Sequence, residues 1–276
     1  MSTTDAQSHA EQAPDRPLPA TPRLAVVASS SPRAQAARDE LRARYPTVSE
    51  EAADVVVALG GDGLVLDVLH RLLQRGKAPR VYGMNRGTTG FLLNEYDADD
   101  LPDRVAVSLE TQVHPLRSRS WDVEGAPLPD ALAFNEVTLR RVGMQSARIE
   151  VAVDGTVRLD ELVGDGLLVA TPAGSTAYNL SARGPILPLG SNLLALTPIC
   201  ALRPRRWPGA LLTHDAVVQL RVLDPAKRPV SLTADQRQIV DVGRVEIAEA
   251  REVTLTLMFD SGRSLADRVV AEQFST

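Results

Sequence analysis

Cysteine, histidine and aromatic side chains are all scarce in this chain. The single cysteine, Cys200, excludes an intramolecular disulfide and a cysteine metal cluster, and it fits a reducing compartment such as the cytoplasm. The four histidines, His9, His70, His114 and His214, have no metal-ligand spacing and read as tail, surface or packing residues. A net charge of −5 leaves no broad basic footprint for nucleic acid. No apolar run approaches the roughly 20 residues needed to span a bilayer, and no basic amphipathic helix offers a membrane-docking face. Residues 1–22 are polar, with Pro14, Pro17, Pro19 and Pro22. They lack the basic and apolar regions of a secretory signal and are expected to form a disordered tail. What is present, 276 residues of which 44% are hydrophobic and 24% charged, suits a soluble protein of one large or two ordinary domains.

The most informative stretch is Val55-Val56-Val57-Ala58-Leu59 followed by Gly60-Gly61-Asp62-Gly63. The five apolar residues read as a buried strand. Val65, Val68, Leu69, Leu72 and Leu73 then recur as one apolar helical face, and Gly76 stands where a helix C-cap glycine belongs. A strand, a glycine turn and a helix N-terminus together make an anion site. Gly60, Gly61 and Gly63 are candidate phosphate-binding residues, because no Cβ hinders approach. Asp62 would repel a phosphate and suits a hydroxyl or a metal-bound phosphate better. The turn is neither a Gly-x-Gly-x-x-Gly fingerprint nor a Walker loop, and by itself it reads equally well as a structural corner.

Leu24–Ala28, a helix capped by Ser31-Pro32, the strand at Val55, the helix after Gly63 and a strand from Arg80 follow one another. The order β, α, β, α, β predicts a parallel sheet whose ligands bind at the C-terminal strand ends, where Gly60 and the loop at Gly87 both lie. After about residue 109 short β-rich runs take over, at 132–139, Ala147–Val153, 167–170, 216–223, 245–248 and 253–259. They predict an all-β second domain. The expected organisation is a tail (1–22), an α/β domain (23–110), an all-β domain (111–260) and a C-terminal segment (261–276).

These pieces, over most of residues 24–259, resemble the NAD kinases. The resemblance rests on Gly60-Gly61-Asp62-Gly63, on Gly83-Met84-Asn85-Arg86-Gly87-Thr88-Thr89-Gly90-Phe91-Leu92, on Asn135-Glu136, and on the long stretch from Asp165-Gly166 through Thr171-Pro172-Ala173-Gly174-Ser175-Thr176-Ala177-Tyr178, continued by Gly184-Pro185-Ile186-Leu187. Lipid and sphingoid kinases and phosphofructokinases carry a turn like the first motif; the long stretch is far more specific. The resemblance implies a Rossmann-like, phosphofructokinase- and diacylglycerol-kinase-like α/β domain followed by an all-β NAD-binding domain, with the site between them. It implies phosphoryl transfer from ATP or polyphosphate to the 2′-hydroxyl of the adenosine ribose of NAD, giving NADP. It also implies a divalent cation such as Mg²⁺, a homodimer or homotetramer, and a C-terminal segment (265–274) that packs back on the first domain.

By the same resemblance Asp62 orients and deprotonates the hydroxyl, and Gly63 approaches the dinucleotide; the plainer reading of Asp62 is a turn or N-cap aspartate. Asn135 can donate to and accept from an adenine edge or a carboxamide, and Glu136 can accept ribose hydroxyls. Their plainer reading is an Asx turn and a solvated charge. Asp165 is either a dinucleotide contact or a β-turn aspartate. Ala173 lines the ligand, and Thr176, Ala177, Tyr178, Asn179, Leu180 and Ser181 supply hydroxyls, a close backbone approach and a ring. Tyr178 reads as a stacking face or as core. Basic residues are needed near the triphosphate; Arg86, in the second glycine loop, and the run Arg203, Arg205, Arg206 are candidates, but such residues are more often solvated surface charge and are left out of the site. Relatives often carry Asp-Gly-Gln where this chain has Ala234-Asp235-Gln236-Arg237, so no contact is assigned there. Thr197-Pro198-Ile199-Cys200-Ala201-Leu202, in place of a Pro-His-Ser-Leu, reads as structural. The competing readings are a lipid or sphingoid kinase and a non-catalytic NAD(H) sensor.

Overall fold

A computed structural model describes residues 17–75, 79–87 and 90–261. The expected Gly76 cap, Thr88-Thr89, most of the N-terminal tail and the segment 265–274 lie outside the described residues. The described residues form two compact units: one takes 17–112 and 252–261, the other takes 113–251.

The first unit opens with β1 (Leu24–Ala28), α1 (Pro32–Arg44), β2 (Val55–Gly60), α2 (Asp62–Gln74), β3 (Arg80–Asn85), α3 (Leu101–Ala106) and β4 (Leu109–Val113). Ser31 Oγ accepts from Ala34 N at 3.2 Å, so α1 starts at its expected cap. All six residues of β2 are buried, as in a parallel sheet covered on both faces. Val55, Val57 and Leu59 share a core with Ala34, Ala37, Leu41, Leu101 and Val105 of α1 and α3. Residues between them point the other way, where Gly60 and Gly83 meet Leu64 and Val65 at the start of α2. The buried face of α2 takes Leu66 in place of the expected Leu73.

The second unit contains β5 (Leu116–Asp122), β6 (Ala131–Ala133), β7 (Glu136–Arg141), β8 (Ala147–Val153), β9 (Thr156–Gly164) and β10 (Gly166–Ala170). A 3₁₀ turn (Ala173–Thr176) and α4 (Tyr178–Ser181) follow. Then come β11 (Leu193–Ile199), β12 (Ala210–Thr213), β13 (Val218–Val222), β14 (Val230–Ala234), β15 (Arg237–Ile239) and β16 (Val242–Glu249). They form two six-stranded sheets, ordered β6-β5-β16-β13-β8-β9 and β12-β11-β10-β7-β14-β15. The main core lies between them: Leu139, Leu167, Val169 and Leu232 from one sheet pack with Ile149, Val151, Leu220 and Val245 from the other. The outer face of the second sheet, at Leu168, Ala170, Ala195 and Ile199, is covered by Leu187 and Tyr178.

Two expectations need correction. The run 132–139 is not one strand: β6 and β7 belong to different sheets, and the chain crosses between them at Phe134-Asn135. The run 253–259 does not belong to the all-β unit. As β17 (Leu255–Phe259) it joins the first sheet, parallel to β3 with Leu257 beside Val81, in the order β1-β2-β3-β17-β4. Leu255, Leu257, Met258 and Phe259 are all buried, as a strand covered on both faces requires. Asn94 locks it there. Its Nδ2 donates to Gly83 O (3.1 Å) and Met258 O (3.0 Å), and its Oδ1 accepts from Asp260 N (2.9 Å). Replacing Asn94 by alanine removes the side-chain partners of Met258 O and Asp260 N, while Gly83 O keeps the Asn94 main-chain N–H (2.7 Å), and the urea midpoint is expected to fall by the equivalent of about 2 kcal/mol.

Candidate active site

In the first unit, Gly60 of β2 pairs in register with Asn85 of β3, so the two glycine loops leave adjacent strands side by side. Arg86 N donates to Gly60 O at 2.8 Å and ties them together. The glycines of the turn have different duties. A Cβ on Gly60 would lie 2.9 Å from Leu64 Cδ2, so this position serves packing rather than phosphate approach. A Cβ on Gly61 or Gly63 would meet nothing within 4 Å. Gly61 caps α2 without a side-chain hydrogen bond, so the helix start stays open on that side.

Asp62 does not cap its own helix. Its Oδ2 accepts from Phe91 N at 2.8 Å and its Oδ1 from Leu92 N at 3.0 Å, so the carboxylate closes the second glycine loop. Gly90 permits this, since a Cβ there would sit 2.6 Å from Asp62 Oδ1. Arg86, expected as solvated charge, is half-buried: its guanidinium stacks 3.1 Å from the Tyr96 ring centroid, and Tyr96 donates to Glu40 Oε2 at 2.6 Å.

In the second unit the site forms at the crossover between sheets. Thr171 Oγ1 donates to Phe134 O at 2.6 Å, and Thr171 N donates to Asn135 O at 3.0 Å. Gly174 lies against the Asn135 carbonyl so closely that a Cβ would occupy the same space. Asp235, from the β14–β15 hairpin, accepts from Phe134 N at 2.7 Å and Asn135 N at 2.9 Å. With the main chain held in this way, Asn135 Oδ1 and Glu136 Oε2 are buried with no protein partner. Orphaned acceptors of this kind are expensive unless a ligand or water meets them. Burial, and secondarily the charge of Asp235, push the Glu136 carboxyl up to about 7, opposed by a hydrogen bond from the Tyr178 N–H.

Several expected residues gather here. Asn135, Glu136 and the Tyr178 N–H converge, and Ala173, Thr176 and Ala177 lie on the connecting turn. The Tyr178 side chain packs on the outer face of the sheet, so packing is what the described geometry supports for its ring. Leu180 is half-buried and Ser181 exposed. Two residues behave differently from expectation. Asn179 is fully buried: its Nδ2 donates to Ser175 O and Pro185 O, and its Oδ1 accepts from Thr197 Oγ1 at 2.7 Å. Its amide braces the loop. Asp165 sits at the other end of β10, where it pairs with Arg141 Nε at 2.5 Å. Ala170 is opposite Glu136 while Gly166 is opposite Arg140, which puts Asp165, one residue further on, roughly 16 Å along the strand from the cluster. Conversely, Asp235 was set aside on sequence and is part of it; an acid at a hairpin tip was the only signal.

Family models described as the ATP-NAD kinase N-terminal domain and C-terminal domain match residues 4–110 and 134–251. The chain belongs to the NAD kinase family. It is 50% identical over 253 residues to an NAD kinase of Hyphomonas neptunium, covering 92% of this chain and 98% of that one. It is 52% identical over 258 residues to an NAD kinase of Xylella fastidiosa strain Temecula1, covering 94% and 98%. Among solved structures, yeast NADH kinase complexed with NADH matches with a TM-score of 0.77 at 20% identity, covering 95% of this chain and 89% of that one. An NAD kinase from Archaeoglobus fulgidus in complex with ATP matches with a TM-score of 0.70 at 22% identity, covering 91% and 98%. These last two establish a shared fold: a parallel α/β sheet and an antiparallel all-β unit.

Within this NAD kinase fold Glu136 leaves a mark on stability. Its carboxyl titrates near 7 when folded and near 4.5 when unfolded, so the folded chain holds an extra proton between those values. The group therefore favours folding at low pH, and that contribution is lost as pH rises through 7. Glu136→Gln is expected to gain stability over the parent between pH 4.5 and pH 7 and beyond, by an amount on the order of 3 kcal/mol. Urea unfolding of both chains across that range checks it, and a constant difference would contradict it.

Proposed function

We propose that the protein transfers the γ-phosphoryl group of ATP to the 2′-hydroxyl of the adenosine ribose of NAD, releasing NADP and ADP. The observation that carries the reading is Asp62, held by two main-chain donors at an open helix start in a chain of the NAD kinase family. A ribose hydroxyl is a weak nucleophile, and a fixed carboxylate both orients it and takes its proton as the new O–P bond forms. Gly61 and Gly63 leave room for phosphate oxygens at the N-terminus of α2, where the helix dipole favours negative charge. Asn135 and Glu136 hold the dinucleotide through their unpartnered oxygens, with Ala173, Thr176 and Ala177 lining it. In this assignment the α/β unit carries the transfer residue and the all-β unit the dinucleotide contacts. Asp165 is retained only as an outlying contact.

Among the described residues no three of His, Cys, Asp and Glu converge as a metal cage. The glycine turn offers one acid, Asp62, which would hold a divalent cation such as Mg²⁺ carried by the donor's phosphates. When bound, the cation neutralises phosphate charge. Polyphosphate is a second donor of the same chemistry. We place the reaction in the cytoplasm, in a homodimer or homotetramer without a nucleic-acid or membrane partner; among the described residues no helix is long and apolar enough to cross a membrane.

The test is NADP formation by the purified chain with NAD, Mg²⁺ and either ATP or polyphosphate. Asp62→Asn is expected to lower kcat at least about 100-fold while NAD still binds and the chain still melts cooperatively. Measurable NAD binding without turnover in the parent chain would favour a sensor over an enzyme.

A further inference from the structure

The β14–β15 hairpin ties itself to the crossover in both directions. Where the chain passes from one sheet to the other, Phe134 N and Asn135 N have no ladder acceptor, and Asp235 accepts from both, at 2.7 and 2.9 Å. In return Asp235 N donates to Glu136 O at 3.2 Å. Asp235 has φ +49°, in the left-handed region where glycine or asparagine would serve a bare turn as well. A carboxylate is needed for something the turn does not require, and two adjacent N–H donors supply that need.

We propose that Asp235 is the positioning residue of the dinucleotide site: by taking up both crossover N–H groups, it leaves the side-chain oxygens of Asn135 and Glu136 unpaired and aimed for ligand. This rests on the reading of Asn135 and Glu136 as dinucleotide contacts. A short polar side chain at a break in a strand ordinarily turns back on its own main chain. Here that role is filled from another strand, and Asn135 Oδ1 and Glu136 Oε2 remain buried without a protein partner. The same placement sets the electrostatics. Of the groups acting on Glu136, burial and the Asp235 charge raise its carboxyl, and the Tyr178 main-chain N–H lowers it. NAD affinity is thereby tied to ionisation of Glu136: the carboxylate accepts ribose hydroxyls, so affinity rises with pH through that ionisation.

The test is titration calorimetry of NAD onto the full chain from pH 5.5 to 8.5, for the parent, Asp235→Asn, Asn135→Ala and Glu136→Gln, with a melting curve for each. Asp235→Asn keeps the shape but removes the charge and turns an NH₂ toward one of the two N–H groups. It is expected to weaken NAD about tenfold at pH 7.5, the cost of one hydrogen bond. The midpoint of the pH dependence is expected to move down by about one unit, a shift that a purely structural role would not produce. If this variant does not fold, Asp235→Ser, neutral and still an acceptor, is read in the same way. A folded Asp235 variant with parental affinity and an unmoved midpoint, beside Asn135→Ala and Glu136→Gln chains that do lose affinity, overturns the positioning role alone. Parental affinity in Asn135→Ala and Glu136→Gln as well would remove the site reading and the proposal with it.

Discussion

A main-chain N–H that leaves its ladder or helix must find another acceptor or lose the worth of a hydrogen bond. The candidate residues of each unit depend on how that demand is met. In each unit one aspartate carboxylate accepts from two successive N–H groups of a distant segment. Asp62 does so for Phe91 and Leu92, and Asp235 for Phe134 and Asn135. Strand register makes both links possible. Gly60 lies beside Asn85, and Ala234 lies beside Val137, so each aspartate starts one or two residues from a strand end adjacent to its target.

The glycines follow the same division between scaffold and opening. At Gly60 and Gly90 the space a Cβ would fill already belongs to a side chain, and at Gly174 it belongs to the Asn135 carbonyl. These positions bring segments into contact. In the glycine turn, Gly61 and Gly63 face free space. The long stretch around Thr171-Pro172-Ala173-Gly174 is thus largely a packing device. Thr171 and Gly174 grip the crossover from one side, Ser175 Oγ holds Leu187 N at 2.9 Å, and Asn179 braces the return of the chain. What the gripped crossover presents is small: the orphaned oxygens of Asn135 and Glu136.

Glu136 and Asp235 also show a cost carried by the site. Two acids share a poorly solvated corner, and the main-chain N–H of Tyr178 is the opposing influence on Glu136. A fold optimised for stability alone would place an apolar or amide side chain at one of these positions. The arrangement is coherent if a ligand rich in hydroxyls completes it.

Much of this was legible in the sequence. Local signals sufficed where the deciding physics is local. The run Val55–Gly60, the apolar face from Val65 to Leu72 and the Ser31 cap each depend on residues within a few positions of one another. The motif order was enough to recognise the family and to name Asp62, Asn135 and Glu136. Pairing between distant segments was out of reach. β17 reads as one more apolar strand, and only burial beside β3, locked by Asn94, assigns it to the first unit. The break at Phe134-Asn135 is invisible in an apolar run, since its cause is a carboxylate about a hundred residues away. Asn179 and Asp165 carry ligand-like chemistry, and tertiary neighbours turned one inward and paired the other with Arg141. The sequence by itself determined which elements form and which chemistry is available. The tertiary structure decided which polar groups are spent on the main chain and which remain free, because that depends on which partner each group meets in space.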